Sequence, residues 1–194
     1  MLAKGDTLEI YLLRGKVGWF SPARSTPFEE NPLAQPNKSG DRAAMAKIMT
    51  GKSPVTFDLR RFVDAQEHSY ARAVAELRQG LKLTHWMWYI FPQLRGLGRS
   101  PMASRYGIAS LDEARAYLGD EVLGSRLVAC TQLVLDAGKP VNAILPSPDD
   151  LKFRSSMTLF EKAASSGEPI FAEAIDTLCD GEPDTATLRL LGNA

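Results

Sequence analysis

The sequence predicts an all-α, mostly helical fold, an irregular compact bundle over residues 57–194 that follows an extension over residues 1–56 lying outside its core. Three observations carry this. After Phe57, apolar residues recur at three- and four-residue steps through most of the chain. Those runs are punctuated by helix starts (Ser, Asp, Pro) and helix stops (Gly) in the right order. Residues 21–54, in contrast, are rich in Pro, Ser, Asn and Gly, with few large apolar side chains outside Met45–Met49. Too little surface can be buried there to offset the entropy of ordering, so the segment reads as a disordered linker.

Within the extension, Thr7 to Phe20 reads as two β-prone segments around Arg14-Gly15-Lys16, a short hairpin that is marginal in water unless it docks. An over-extended start of translation is the second reading of the whole extension. Asp58 is placed as the N-cap of an amphipathic helix whose stripe is Leu59, Phe62, Val63, Gln66, Tyr70, Val74 and Leu77, with Gly80 as its stop. A short aromatic helix, His85 to Phe91, ends at Pro92. Ser100-Pro101 opens another, serine capping and proline in the first turn. Ser110 and Glu113 form a capping box for a helix to about Leu118. Val122 to Ala137 repeats the spacing and stops at Gly138. Asp149-Asp150 complement the positive end of a helix running through Ala164. Ile170 to Leu178 and Thr185 to Leu191 complete the set.

A chain of 194 residues with 44% hydrophobic content buries a core without staples. Its 23 basic and 23 acidic residues cancel, which argues against nucleic acid or an anionic membrane as partner. The two cysteines, Cys130 and Cys179, sit in apolar helical patterns and read as buried free thiols. No signal peptide is visible and no run approaches the roughly 20 apolar residues of a membrane span. A cytoplasmic protein is the expectation, with no cofactor and no metal site; Asp149-Asp150 are explained by capping.

The segment Lys82 to Ser100 is the most unusual. Trp86, Trp88, Tyr89 and Phe91 are too dense for one helix face, so some rings fill the core and others wall a cleft. His85 and Gln93 would sit at its rim, His85 as the acid–base candidate; a hydrogen-bonded structural histidine is the other reading. Gly96-Leu97-Gly98-Arg99 leads into the Ser100-Pro101 helix start. Flexible backbone, free N–H groups and a guanidinium together suit a phosphate, although such a turn is often only a turn. In the run Lys152 to Phe160, the polar groups Lys152, Ser155, Ser156 and Thr158 lie among apolar residues and either staple helices or line a site.

Three blocks now combine: Arg61-Phe62 with Ala65-Gln66; Thr84 through Leu94 with Gly96-Leu97-Gly98; and Asp149 through Phe160, followed by Asp180-Gly181-Glu182-Pro183-Asp184 and Thr187-Leu188. On these the chain resembles the bacterial family known as domain of unknown function 1810, often mislabelled calpastatin, over about Asp58 to Gly192. The resemblance implies a compact helical fold and no established activity, and the label does not carry protease inhibition. Leu145-Pro146 stands where the family usually has Phe-Gly, and Asp120-Glu121 where His-Pro is common. A fainter similarity, through Ala65-Gln66, is to the helical family that removes ADP-ribose from nucleic acid bases, and it adds Gln66 to the ligand-binding candidates. Glu67 stands where that family has lysine, which argues against any lysine-dependent chemistry.

Two function classes follow. In the first, the domain binds a small phosphorylated ligand of nucleotide or ADP-ribose type, with hydrolysis of a glycosidic or phosphate bond as the reaction. Trp86 and Trp88 stack the ring, Arg99, Lys152 and Arg154 hold the anion, Gln66, Gly96, Gly98 and Ser156 complete the ligand-binding set, and His85, Gln93 and Ser155 orient it or move protons. In the second, the domain is a non-enzymatic protein-interaction module with an unidentified protein partner.

Overall fold

The computed structural model describes residues 56–164 and 168–192. The hairpin and linker expected within residues 1–55 lie outside the described residues.

Where the sequence predicts one helix from Asp58 to Gly80, there are two: α1 (Arg60–Glu67) and α2 (Tyr70–Gln79). The N-cap of α1 is Leu59 rather than Asp58, and it makes no side-chain cap. The break falls at His68-Ser69, where the Ser69 hydroxyl donates to the Ala65 carbonyl at 2.7 Å, the local bond by which serine competes with a helix ladder. Breaking there lets Phe62 and Gln66 face the core from α1 while Ala73, Glu76 and Leu77 face it from α2. Gly80 does end α2, with φ 66 in the left-handed region.

The aromatic segment is a single turn, α3 (Met87–Ile90). Ser100 caps α4 (Pro101–Tyr106), its hydroxyl accepting from the Ala103 amide at 3.1 Å. Ser110 caps α5 (Leu111–Gly119), but only half of the expected box forms. Glu113 turns instead to the Ala109 amide and to Arg61, at 2.6 and 2.8 Å. Helices α6 (Leu123–Asp136), α8 (Asp149–Ala163), α9 (Ile170–Leu178) and α10 (Thr185–Gly192) follow the predicted pattern. Helix α7 (Val141–Ile144), one turn long, is not anticipated by the periodicity. Among the described residues there is no strand, only a single parallel bridge between Leu94 and Ile108.

Helix α8 is the axis of the bundle. It packs on α5, α7, α9 and α10, and every residue from Ser155 to Phe160 is buried. A helix buried nearly all round needs partners for its polar groups. The Thr158 hydroxyl accordingly accepts from the Asp184 amide at 2.8 Å, tying α8 to the start of α10. A chain of aromatic rings runs through the core: Phe171 to Phe160, Phe160 to Tyr117, Tyr117 to Phe62, at centroid separations of 5.9, 5.3 and 5.1 Å. Both cysteines are free and buried. Burial pushes the Cys130 thiol up to about 12, so it is an inert packing group at neutral pH.

Candidate functional site

The site begins at a residue the sequence reading passed over. Glu76 lies on the buried stripe of α2 between Ala73 and Leu77, where a carboxylate needs several donors. It has four. The Leu83 and Thr84 amides donate at 2.8 and 3.0 Å, the Thr84 hydroxyl at 2.6 Å, and the Trp86 indole N–H at 2.7 Å. Burial raises its pKa, but the bonds from Thr84, Leu83 and Trp86 outweigh that and hold the carboxyl at about 2. The loop from Leu81 to Trp86 is thus folded around one anion.

That loop places Lys82. Its amide donates to the Ile144 carbonyl at 2.7 Å, and its ammonium lies 2.6 Å from Asp149 Oδ2 in the first turn of α8. One turn further along α8, the Lys152 ammonium meets Asp149 Oδ1 at 2.7 Å. One carboxylate therefore serves two ammonium groups. Burial pushes the Asp149 carboxyl up, while the hydrogen bonds and charges of Lys152 and Lys82 pull it further the other way, so it stays below its usual range. Both cations also face indoles: Lys82 lies 5.2 Å from the centroid of the Trp86 ring and Lys152 lies 4.7 Å from that of Trp88.

Gly98 approaches the edge of the Trp88 ring. A Cβ there would lie 2.8 Å from Ala103 Cβ and 3.5 Å from the outer edge of the Trp88 ring, so only glycine lets this loop lie against both. The aromatic block, the glycine loop and the start of α8 therefore meet around Trp88, which is partly exposed.

Several sequence candidates are elsewhere. Trp86 is 1% exposed, bonded to Glu76, and presents no free face for a ligand ring. Gln66 is a core staple: its amide donates to the Tyr89 carbonyl at 2.6 Å and to the Tyr117 hydroxyl at 3.0 Å, and it accepts from Arg126 at 3.2 Å. The Ser155 hydroxyl donates to the Leu151 carbonyl at 3.1 Å, within its own helix. Gln93 Nε2 and Ser156 Oγ are buried without a hydrogen-bond partner among the described residues. Gly96 sits at φ 102, a turn that glycine alone takes readily. At the start of α4 the Ala103 amide is taken by the Ser100 hydroxyl and Pro101 has no N–H, which leaves this turn fewer donors for an anion. His85 and Arg99 are exposed, and the His85 carbonyl accepts from the Tyr89 hydroxyl at 3.0 Å.

Arg154 lines a separate cavity of about 620 Å³ with Lys139, Asn142, Asp150, Thr177 and Asp180, between α6, α8 and α9. It is not part of the Trp88 surface. Two further cavities, about 610 and 480 Å³, flank α1, and none of these three is lined by Trp86 or Trp88. Among the described residues no group of three metal-binding side chains gathers, and no helix is long and apolar enough to cross a membrane.

The residues that sequence reasoning missed are Glu76, Lys82 and the pairing role of Asp149. The signal for the first was slight: a glutamate next to Leu77 of the apolar stripe, four residues before the helix-ending glycine. The other two needed the meeting of the loop with α8.

None of the curated proteins matches the chain. Among solved structures, the crystal structure at 1.38 Å of the conserved hypothetical protein Rv1873 from Mycobacterium tuberculosis is similar, with 50% identity and a TM-score of 0.68, over 70% of this chain and 97% of that one. The family model described as a protein of unknown function, DUF1810, matches residues 56–191. The same span holds the loop around Glu76, the lysines on Asp149 and the Gly98–Trp88 contact, and with it the chain belongs to the DUF1810 family.

Proposed function

We propose that the domain binds a phosphorylated small molecule bearing a flat ring, of nucleotide or ADP-ribose type, at the exposed side of Trp88. The observation that carries this reading is the Lys152 ammonium over the Trp88 ring at 4.7 Å, beside a second ammonium on the same carboxylate. Two cations on one anion leave a positive charge uncompensated next to an aromatic surface, and Arg99 adds another at the rim. A polyanion competes with Asp149 for the two lysines, which favours a multiply charged phosphate over a monocarboxylate. The ring would stack on Trp88 alone. Binding is the core of the reading; a hydrolytic step on the same ligand would draw on exposed His85, because Ser155 is committed to its own helix.

A thermal-shift titration with ADP-ribose, NAD and AMP tests this. Stabilisation of the wild type is expected, with at least a ten-fold weaker response in Trp88→Ala and Lys152→Ala. No stabilisation by any of the three at millimolar concentration would remove the reading.

The second reading, a protein-interaction module, is favoured by exposed leucines beside the Lys82–Asp149 pair: Leu81 at 42%, Leu83 at 65% and Leu151 at 56%. It predicts no response to small ligands and an unchanged fold in Leu83→Asp.

A further inference from the structure

A different cluster of cations lies at the start of α1. Arg61, Arg95 and Arg105 line one cavity of about 480 Å³, with Asp58 and Glu113 on the same wall. Four of the five N–H donors of the first guanidinium are used. Arg61 Nε donates to the Arg105 carbonyl at 2.9 Å, one terminal nitrogen to the Asp58 carbonyl, and the other to the Gly107 carbonyl and to Glu113 Oε1 at 3.4 and 2.8 Å. The carboxylate is used as well, since its second oxygen takes the Ala109 amide at 2.6 Å. Glu113, 3% exposed, therefore neutralises Arg61, and among the described residues it makes no ion pair with the other two arginines.

Arg95 donates to the Gly107 carbonyl at 3.1 Å, so two guanidiniums converge on one neutral oxygen. Arg105 lies with its guanidinium 5.3 Å from the centroid of the Tyr106 ring and has no carboxylate partner among the described residues. Asp58 offers only its backbone carbonyl to this cluster. The base of the cavity is stiff. The Leu94–Ile108 bridge holds Arg95, its amide donating to the Ile108 carbonyl at 2.7 Å, and a Cβ on Gly107 would fall 2.5 Å from the Ala103 carbonyl oxygen. Two planar forks with unspent donors, rooted on fixed backbone around a small cavity, suit the bidentate capture of a tetrahedral oxyanion.

We infer that Arg95 and Arg105 form a second anion site, for a phosphate monoester or diphosphate group. Glu113 and Arg61 act there as its rigid back wall. The site shares no residue with the Trp88 surface and does not depend on it.

The test is a titration of the full chain with inorganic pyrophosphate and inorganic phosphate, at ionic strength held constant with sodium chloride. Melting temperature and 31P line width are both read. Pyrophosphate, which brings no ring to stack on Trp88, is expected to stabilise the wild type, to keep stabilising the Trp88→Ala/Lys152→Ala variant, and to stabilise the Arg95→Ala/Arg105→Ala variant at least ten-fold less. Arg95→Lys/Arg105→Lys, which keeps the charge and removes the fork, is expected to fall between; it also serves if the alanine variant fails to fold. Equal stabilisation by chloride alone, an unchanged response in both arginine variants, or loss of the response in Trp88→Ala/Lys152→Ala would each overturn the assignment.

Discussion

Glu76 shows how much one side chain determines here. It accepts four hydrogen bonds from a loop that has no regular structure of its own, so the loop's shape is that carboxylate's donor set. Glu76→Gln keeps the size and puts two N–H groups where donors converge. It should cost about 1–3 kcal/mol, read by urea denaturation at pH 7. The folded pKa lies near 2, below the ordinary 4.5, so the carboxylate's contribution is present in full above the unfolded value and is lost as pH falls toward 2. The stability gap between wild type and variant should therefore narrow across that interval. Trp86 belongs to the same account. The sequence marked it as an aromatic of a cleft, yet a buried carboxylate within reach of its N–H made the core the better place. Nothing along the chain reveals that Trp86 and not Trp88 would find Glu76, because both lie within a few residues of Thr84.

At the scale of elements, most helices were legible because their ends are chemically marked. Ser100-Pro101, Ser110 and Gly138 do locally what the rules of capping say they do. The misreadings arose where tertiary contacts overrode a continuous pattern. Glu113 has the right spacing to close a capping box but is taken by Arg61, fifty-two positions away. The stripe from Leu59 to Leu77 looks unbroken, yet two faces had to be buried, so the chain bends at Ser69. Close packing of α6 on α5 gives an element-level prediction. A Cβ on Gly124 would lie 2.1 Å from the Leu118 carbonyl oxygen, whereas one on Gly119 meets nothing within 4 Å. Gly124→Ala should destabilise by about 1–3 kcal/mol or more, while Gly119→Ala changes stability by less than about 1 kcal/mol, both by chemical denaturation.

For the molecule as a whole, helix α8 and the Arg61–Glu113 pair do different jobs. The first supplies the apolar axis and the second joins α1 to the α4–α5 side through a bond of 2.8 Å between side chains only 12% and 3% exposed. Arg61→Ala leaves a buried carboxylate without its counter-ion and should cost about 3–5 kcal/mol, visible as a large fall in melting temperature. Replacing both partners by apolar residues of similar volume should cost much less. The candidate site was legible in its parts and not in its assembly. Trp88, Gly98 and Lys152 stood out by residue type, and Lys82 did not, because only the fold brings it to Asp149.

The Glu76 tether has a consequence for any study of how acidity affects this protein. A carboxyl that keeps its charge down to about 2 cannot act as a sensor in the folded chain, and it holds the Trp86 indole as firmly at pH 5 as at pH 8. For the proposed phosphorylated ligand, any change of uptake across that interval would report on other groups or on the ligand's own phosphates, with this part of the scaffold standing still.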